Sequence, residues 1–214
     1  FQGASGWLMN KLLDGAGIRR ADCLVTNVFN LRPEPNNDIS NLCGPKGESD
    51  LPPISSGKYV RRQYNEEIAR LAVEIADYGP NLVVALGSTA LWAFTGVGSI
   101  SKNRGAVLRS NGNVHDGLSG FKLLPTYHPA AILRDYSLLP VTYADFAKAS
   151  RERAFPEIRR PERQVYIEPE LKDCAWFYEQ CAKAKRLSID IETRGDAITF
   201  IGFPPTISEA YVIP

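Results

Sequence analysis

The run Leu123-Leu124-Pro125-Thr126-Tyr127-His128-Pro129-Ala130-Ala131 restricts the fold more than any other stretch of the chain. It reads as a short buried strand that ends in a polar loop, with a helix starting at Pro129. Proline suits a first helical turn, where its missing N–H would have no partner anyway. It also pushes the residue before it toward an extended conformation. His128 is therefore expected at the carboxyl end of a strand, where open α/β sheets gather their ligands. Two readings of His128 stand side by side: a turn residue, or a titratable group facing a ligand. Partners from elsewhere in the chain decide between them.

Two other apolar runs have strand length, Cys23-Leu24-Val25-Thr26-Asn27-Val28-Phe29 and Leu82-Val83-Val84-Ala85-Leu86. Continuous runs of this kind belong in the middle of a parallel sheet covered on both faces. Asn27 interrupts the first near its end, and its amide either caps a loop or waits for a polar ligand. After the second run, Gly87-Ser88-Thr89 turns directly into a helix around Ala90–Phe94. A strand, a Gly-Ser turn and a helix N-terminus offer backbone N–H groups to a phosphate. Gly-Ser is also a common way simply to begin a helix.

Helical periodicity links Trp7, Leu8, Lys11, Leu12, Asp14 and Ala16, closed by Gly15 and Gly17. It also links Val60, Tyr64, Ile68, Leu71 and Ile75, with Arg61, Arg62, Glu66, Glu67 and Arg70 off the stripe. Residues 31–57, rich in Pro, Asn and Gly, form a long irregular segment of the kind that tends to be functional or mobile. Lys102, Arg104 and Arg109 cluster around Gly105, Asn111-Gly112 is expected to be a hairpin turn, and a helix is expected over about 142–152. Together these features predict a three-layer α/β/α sandwich on a mainly parallel sheet, with the runs at Cys23, Leu82 and Leu123 as neighbouring central strands.

A net charge of +1 excludes a global electrostatic argument for nucleic acid, so any such surface must be local. No apolar run approaches membrane-spanning length. The four cysteines, Cys23, Cys43, Cys174 and Cys181, form no CxxC pair, which indicates neither a zinc site nor a disulfide framework. A reducing cytoplasm is the expected location. Residues 151–169, charged and punctuated by proline, are expected to link a domain over 1–150 to a second over 170–214. In the second, a helix over 170–185 precedes a strand, Leu187 to Glu192, then an antiparallel strand from Ile198 to Phe203 and a third from Ala210. Alternation puts Asp190 and Glu192 on one face, as two ligands of a hard cation require, although paired acids at a strand end are as often a solvated turn. The chain opens on Phe1-Gln2-Gly3 and closes inside a strand-like run, and is expected to be a fragment cut at both ends.

The order Phe1-Gln2-Gly3-Ala4-Ser5-Gly6, Thr26-Asn27-Val28-Phe29, Val84-Ala85-Leu86-Gly87 and Thr126-Tyr127-His128-Pro129-Ala130 resembles the uracil-DNA glycosylase superfamily, in particular its family 4 branch and phage relatives. Asp190-Ile191-Glu192 resembles the first motif of the 3′–5′ exonuclease domain of family A DNA polymerases, a ribonuclease H-like fold. The combination is similar to phage-type polymerases with an N-terminal fusion. The resemblance implies that Phe1 stacks on a flipped uracil, Asn27 reads its edge and His128 contacts its O2, with Gly3, Gly87 and Ser88 also at the substrate. It implies uracil-containing DNA and polymerase domains of the same polypeptide as partners, Lys102 and Arg104 as DNA contacts, and magnesium at Asp190 and Glu192.

In that family the first strand and an acidic motif precede the stacking Phe, so the domain is expected to lack both and to be inactive as a fragment. Family 4 enzymes with an iron–sulfur cluster place a cysteine four residues after the reading Asn, where this chain has Leu31. Cys43 matches at most one further ligand, so no cluster is expected. A non-catalytic module that binds uracil or DNA stands as the alternative to an excising enzyme.

Overall fold

The computed structural model describes residues 3–160, 162–206 and 208–213. Two compact units divide the chain, Phe1–Ile158 and Arg159–Pro214.

The first unit contains α1 (Gly3–Gly15), β1 (Cys43–Gly44), β2 (Tyr59–Val60), α2 (Asn65–Tyr78), β3 (Val83–Leu86), α3 (Ser88–Thr95), α4 (Ile100–Asn103), β4 (Leu108–Arg109), β5 (Lys122–Thr126), α5 (Pro129–Ile132) and α6 (Leu139–Glu152). Its main sheet has the order β3-β5-β4. β3 and β5 are parallel, with Val83 opposite Leu123 and Leu86 opposite Thr126, and β4 is antiparallel to β5. Every residue of β5 is buried. Successive side chains of a strand point to opposite faces, and β5 shows why this sheet needs two helical layers. Leu123 packs with Ile68, Leu71, Leu91 and Trp92, from α2 and α3. Leu124 packs with Leu8, Leu12, Ile132 and Phe146, from α1, α5 and α6. Helices therefore cover both faces, as the apolar runs require.

α2 buries Ile68, Leu71, Ala72 and Ile75, carries Glu66 and Glu67 in its first turn, and stops at Gly79 in the left-handed conformation (φ 59°). Val60, read as part of this helix, belongs instead to β2, paired with Cys43. In α1 the buried face is Leu8, Met9, Leu12 and Leu13, and Trp7, named in the same helical pattern, is 58% exposed. Asn111-Gly112 is not a tight hairpin turn, because β4 and β5 are joined by residues 110–121. The Asn111 side-chain Oδ1 accepts from the Asn113 N–H within that loop.

The largest departure is the run from Cys23. It joins neither sheet of the first unit. Its residues line a cavity together with residues 82–90. At the other end of β5, the buried Lys122 ammonium is taken by the carbonyls of Phe155 (2.7 Å) and Glu157 (3.0 Å) and by the Glu152 carboxylate (3.0 Å).

The second unit contains β6 (Gln164–Ile167), α7 (Leu171–Lys183), β7 (Asp190–Arg194), β8 (Ala197–Phe203) and β9 (Glu209–Ile213), with sheet order β6-β9-β8-β7. β6 lies inside the stretch read as a linker and pairs in parallel with β9. Phe177 of α7 stacks on Tyr211 of β9 at 4.2 Å between ring centres, and both side chains are buried.

Candidate active site

β3 and β5 end side by side, and each runs through a turn into a helix. The Gly87 N–H donates to the Thr126 carbonyl at 2.9 Å, which carries the pairing one residue past β3. Gly87 has φ +85°, and a Cβ there would stand 3.2 Å from the His128 Cβ. Glycine is needed on both counts, for the backbone angle and for the close approach of the two turns.

His128 has extended backbone angles and is the N-cap of α5, with Pro129 in its first turn. Its Nδ1 accepts the Ala130 N–H at 3.0 Å. A ring nitrogen that accepts carries no proton, so the neutral imidazole bears its hydrogen on Nε2 and is a donor there. Burial, with a smaller contribution from Arg134, holds the His128 pKa below its ordinary 6.5. The ring is therefore neutral at pH 7.

Asn27, Gly87, Ser88 and His128 line one cavity of about 780 Å³, together with Phe29 and Arg32. That size suits a nucleobase with its sugar. Asn27 is exposed to this space, and its carboxamide has no hydrogen-bond partner among the described residues. Phe1 lies outside the described residues. Gly3 opens α1, exposed and with nothing within 4 Å of its Cβ position, and is not in the cavity wall.

Three side chains of α2 grip the Asn27 segment. The Arg70 guanidinium donates to the carbonyls of Asn27 (2.9 Å) and Val28 (3.2 Å), to the Thr26 hydroxyl (3.4 Å), and to Glu74 (2.7 Å) and Glu67 (3.1 Å). Glu74 accepts from the Thr26 hydroxyl at 2.6 Å, and Glu67 from the Asn30 N–H at 2.8 Å. None of these residues was singled out from the sequence. The spacing Glu67, Arg70, Glu74 was the available signal, since it aligns alternating charges along one helix face.

Behind β5, Thr126 donates to the buried Asp145 carboxylate at 2.6 Å, and Arg104 forms a two-pronged pair with the same carboxylate. Arg104 thus has its charge engaged internally, while Lys102, on α4, is exposed. In the second unit Asp190 and Glu192 lie on edge strand β7, exposed, and the register shifts just after Glu192. Among the described residues no group of three or more His, Cys, Asp or Glu is placed to hold a metal ion.

The chain is similar to type-4 uracil-DNA glycosylases. That of Thermotoga maritima is 34% identical over 151 residues, covering 70% of this chain and 66% of that protein. Those of Pyrobaculum aerophilum and Archaeoglobus fulgidus are each 30% identical, over 64% and 69% of this chain and 61% and 65% of theirs. The chain thus spans a little under two thirds of the length of these relatives.

They correct the expectation that no iron–sulfur centre belongs here, because type-4 enzymes are the iron–sulfur-containing branch. The side chains of the first unit do not themselves fit such a cluster. Ligation requires cysteine thiolates, and Leu31 packs against the core at the position of the expected cysteine. Cys43 is buried and donates to the Ile39 carbonyl, and Cys23 donates to the Arg19 carbonyl. Burial pushes both thiols up, away from the thiolate form.

The model of the uracil DNA glycosylase superfamily matches residues 1–156. That is most of the chain, and it spans the strand-to-helix turns that bring Gly87 and His128 together; the chain belongs to the uracil-DNA glycosylase superfamily.

Proposed function

We propose that this protein excises uracil from DNA by hydrolysis of the N-glycosidic bond. The observation that carries the reading is the geometry of His128, whose Nδ1 accepts the Ala130 N–H and whose ring stands in the wall of the cavity that Asn27 also lines. A base in a duplex must leave the stack before any side chain can act on it. In the cavity the Asn27 amide donates to uracil O4 and accepts from N3–H, a pattern that cytosine does not match. Cleavage sends the bonding electrons onto the base, and water supplies the oxygen that joins the sugar. Negative charge gathers on uracil O2, where a fixed Nε2–H donor is worth most. Because His128 stays neutral, the base leaves as an anion stabilised by a hydrogen bond and is not protonated early. Phe1 supplies the stacking face in this reading. Gly87 and Ser88, at the start of α3, face the phosphate.

The reading extends to the second unit as the start of a 3′–5′ exonuclease domain in a phage-type DNA polymerase polypeptide. It is supported by two acids, Asp190 and Glu192, on an edge strand followed by the antiparallel β8. Alternate residues of a strand share a face, as joint magnesium ligation needs.

Single-turnover excision from single-stranded uracil DNA by the full-length protein tests the proposal. His128→Ala should lower the rate by about 10²–10³, the usual loss for one preorganised donor. His115 accepts from the Gly117 N–H in the 110–121 loop, and His115→Ala should leave the rate near wild type. Equal rates for wild type and His128→Ala would reject the mechanism. Affinity for uracil DNA without any excision would favour a binding module.

A further inference from the structure

Residues 24–30 make none of the main-chain bonds of the sheet, yet they carry the side chain that must face the base. An extended segment without a ladder is free to roll about its axis, and a roll turns every side chain on it. Val28 and Phe29 anchor it in the core, and the polar restraint on either side of Asn27 comes from α2. All three guanidinium nitrogens of Arg70 are used, on two carboxylates, one hydroxyl and two consecutive carbonyls. The carbonyls of Asn27 and Val28 belong to the peptide planes that follow those two residues. Thr26, on the near side of Asn27, is tied to Glu74, and Asn30, on the far side, to Glu67. The Thr26 hydroxyl and Arg70 hold the Glu74 carboxyl below its ordinary range, so it is charged at neutral pH.

We propose that Arg70, flanked by Glu67 and Glu74, is a positioning residue for Asn27. Its planar fork fixes the roll of the segment and hence the direction in which the Asn27 amide presents its donor and acceptor. Lysine cannot substitute, since a single ammonium lacks the fixed spread of donors that grips two carbonyls and two carboxylates together. The inference rests on Asn27 as the residue that reads uracil.

The test is a double-mutant cycle in the full-length protein. Single-turnover excision at saturating single-stranded uracil DNA is measured for wild type, Asn27→Ala, Arg70→Met and the double variant. Affinity for DNA carrying a tetrahydrofuran abasic analogue, which has no base to read, is measured in parallel. Arg70→Met should slow excision about 10–100-fold, as a small misplacement of a contact group does, with abasic affinity within about twofold of wild type. In the Asn27→Ala background the same change should cost almost nothing further, because the group it orients is gone.

A merely structural role would lower both readouts together and add to the loss from Asn27→Ala; either result overturns the proposal. If Asn27→Ala itself leaves excision unchanged, the assignment of Asn27 has failed and the clamp fails with it. If Asn27→Ala is slow and Arg70→Met is not, the clamp alone fails. Should Arg70→Met not fold, Arg70→Lys carries the same expectations, because it keeps the charge between the carboxylates and removes the fork.

Discussion

The imidazole Nδ1 of His128 accepts the N–H of Ala130 at 3.0 Å, so the residue that caps α5 is also the residue that faces the cavity. One contact sets the tautomer, the ring orientation and the entry of the chain into the helix. Protonation would place the ring's second hydrogen on Nδ1, which now accepts, and so oppose the cap.

The pH dependence follows. The His128 pKa lies below 6.5 in the folded protein because burial disfavours the charged ring. Between that lowered value and 6.5 the unfolded chain binds more proton than the folded one, so stability from this residue is complete above 6.5 and falls as pH drops through this window. The acid limb of single-turnover excision assigned to His128 should fall below pH 6.5. An NMR titration of the ring, compared with the rate profile, checks this. A His128 midpoint at or above 6.5 contradicts it.

Asn27→Asp should weaken discrimination against cytosine, because an ionised carboxylate offers only acceptors. The measurement is the ratio of single-turnover excision from uracil and cytosine templates in the full-length protein. A ratio equal to that of wild type removes Asn27 from base reading.

Gly87→Ala should destabilise the first unit by about 1–3 kcal/mol, the cost of placing a side chain at φ 85° and ψ 179°, a region open essentially to glycine alone. It should also slow excision, since the new Cβ would press on the His128 Cβ from 3.2 Å. Chemical denaturation and single-turnover rates measure the two effects. Unchanged values of both would show that the two turns have room to spare.

Lys102 and Arg104 should behave differently although both belong to one basic cluster. Lys102→Ala should reduce the salt slope of DNA affinity by about one unit, as loss of a phosphate contact does. Arg104→Ala strips the cationic partner from Asp145, which is 3% exposed and keeps only the Thr126 hydroxyl among its described side-chain partners, and should cost about 3 kcal/mol of stability. Denaturation midpoints and salt-dependent binding separate the two roles. A stable Arg104→Ala with a reduced salt slope would return that residue to the DNA contacts.

Local signals made much of this legible. An apolar run followed by Pro129 fixed the strand, the turn and the position of His128, because proline acts on its immediate neighbours. Continuous apolar runs of strand length implied a sheet covered on both faces, and helices lie on both faces of β5. The run at Cys23 has the same local character as the run at Leu82, and only β3 sits in a ladder. Pairing depends on what stands alongside, and composition does not encode that. Arg70 was hidden for the same reason: its carbonyl partners lie 42 and 43 residues away. Trp7 shares a helical pattern with Leu8 and Leu12, yet it lies outward with Lys11 over its face, because a pattern that mixes apolar and charged positions does not say which of them the core takes.

The grip of Lys122 on Phe155, Glu157 and Glu152 bears on how the first unit comes apart. Fraying at a terminus usually proceeds residue by residue at little cost. Here an unravelling that moves inward from Ile158 has to strip two carbonyl acceptors from a buried ammonium before it reaches α6. The edge of the unit is therefore a step and not a slope: the N–H groups of the last turn of α6 should exchange with solvent together, at the free energy of losing the Lys122 contacts, and not one after another.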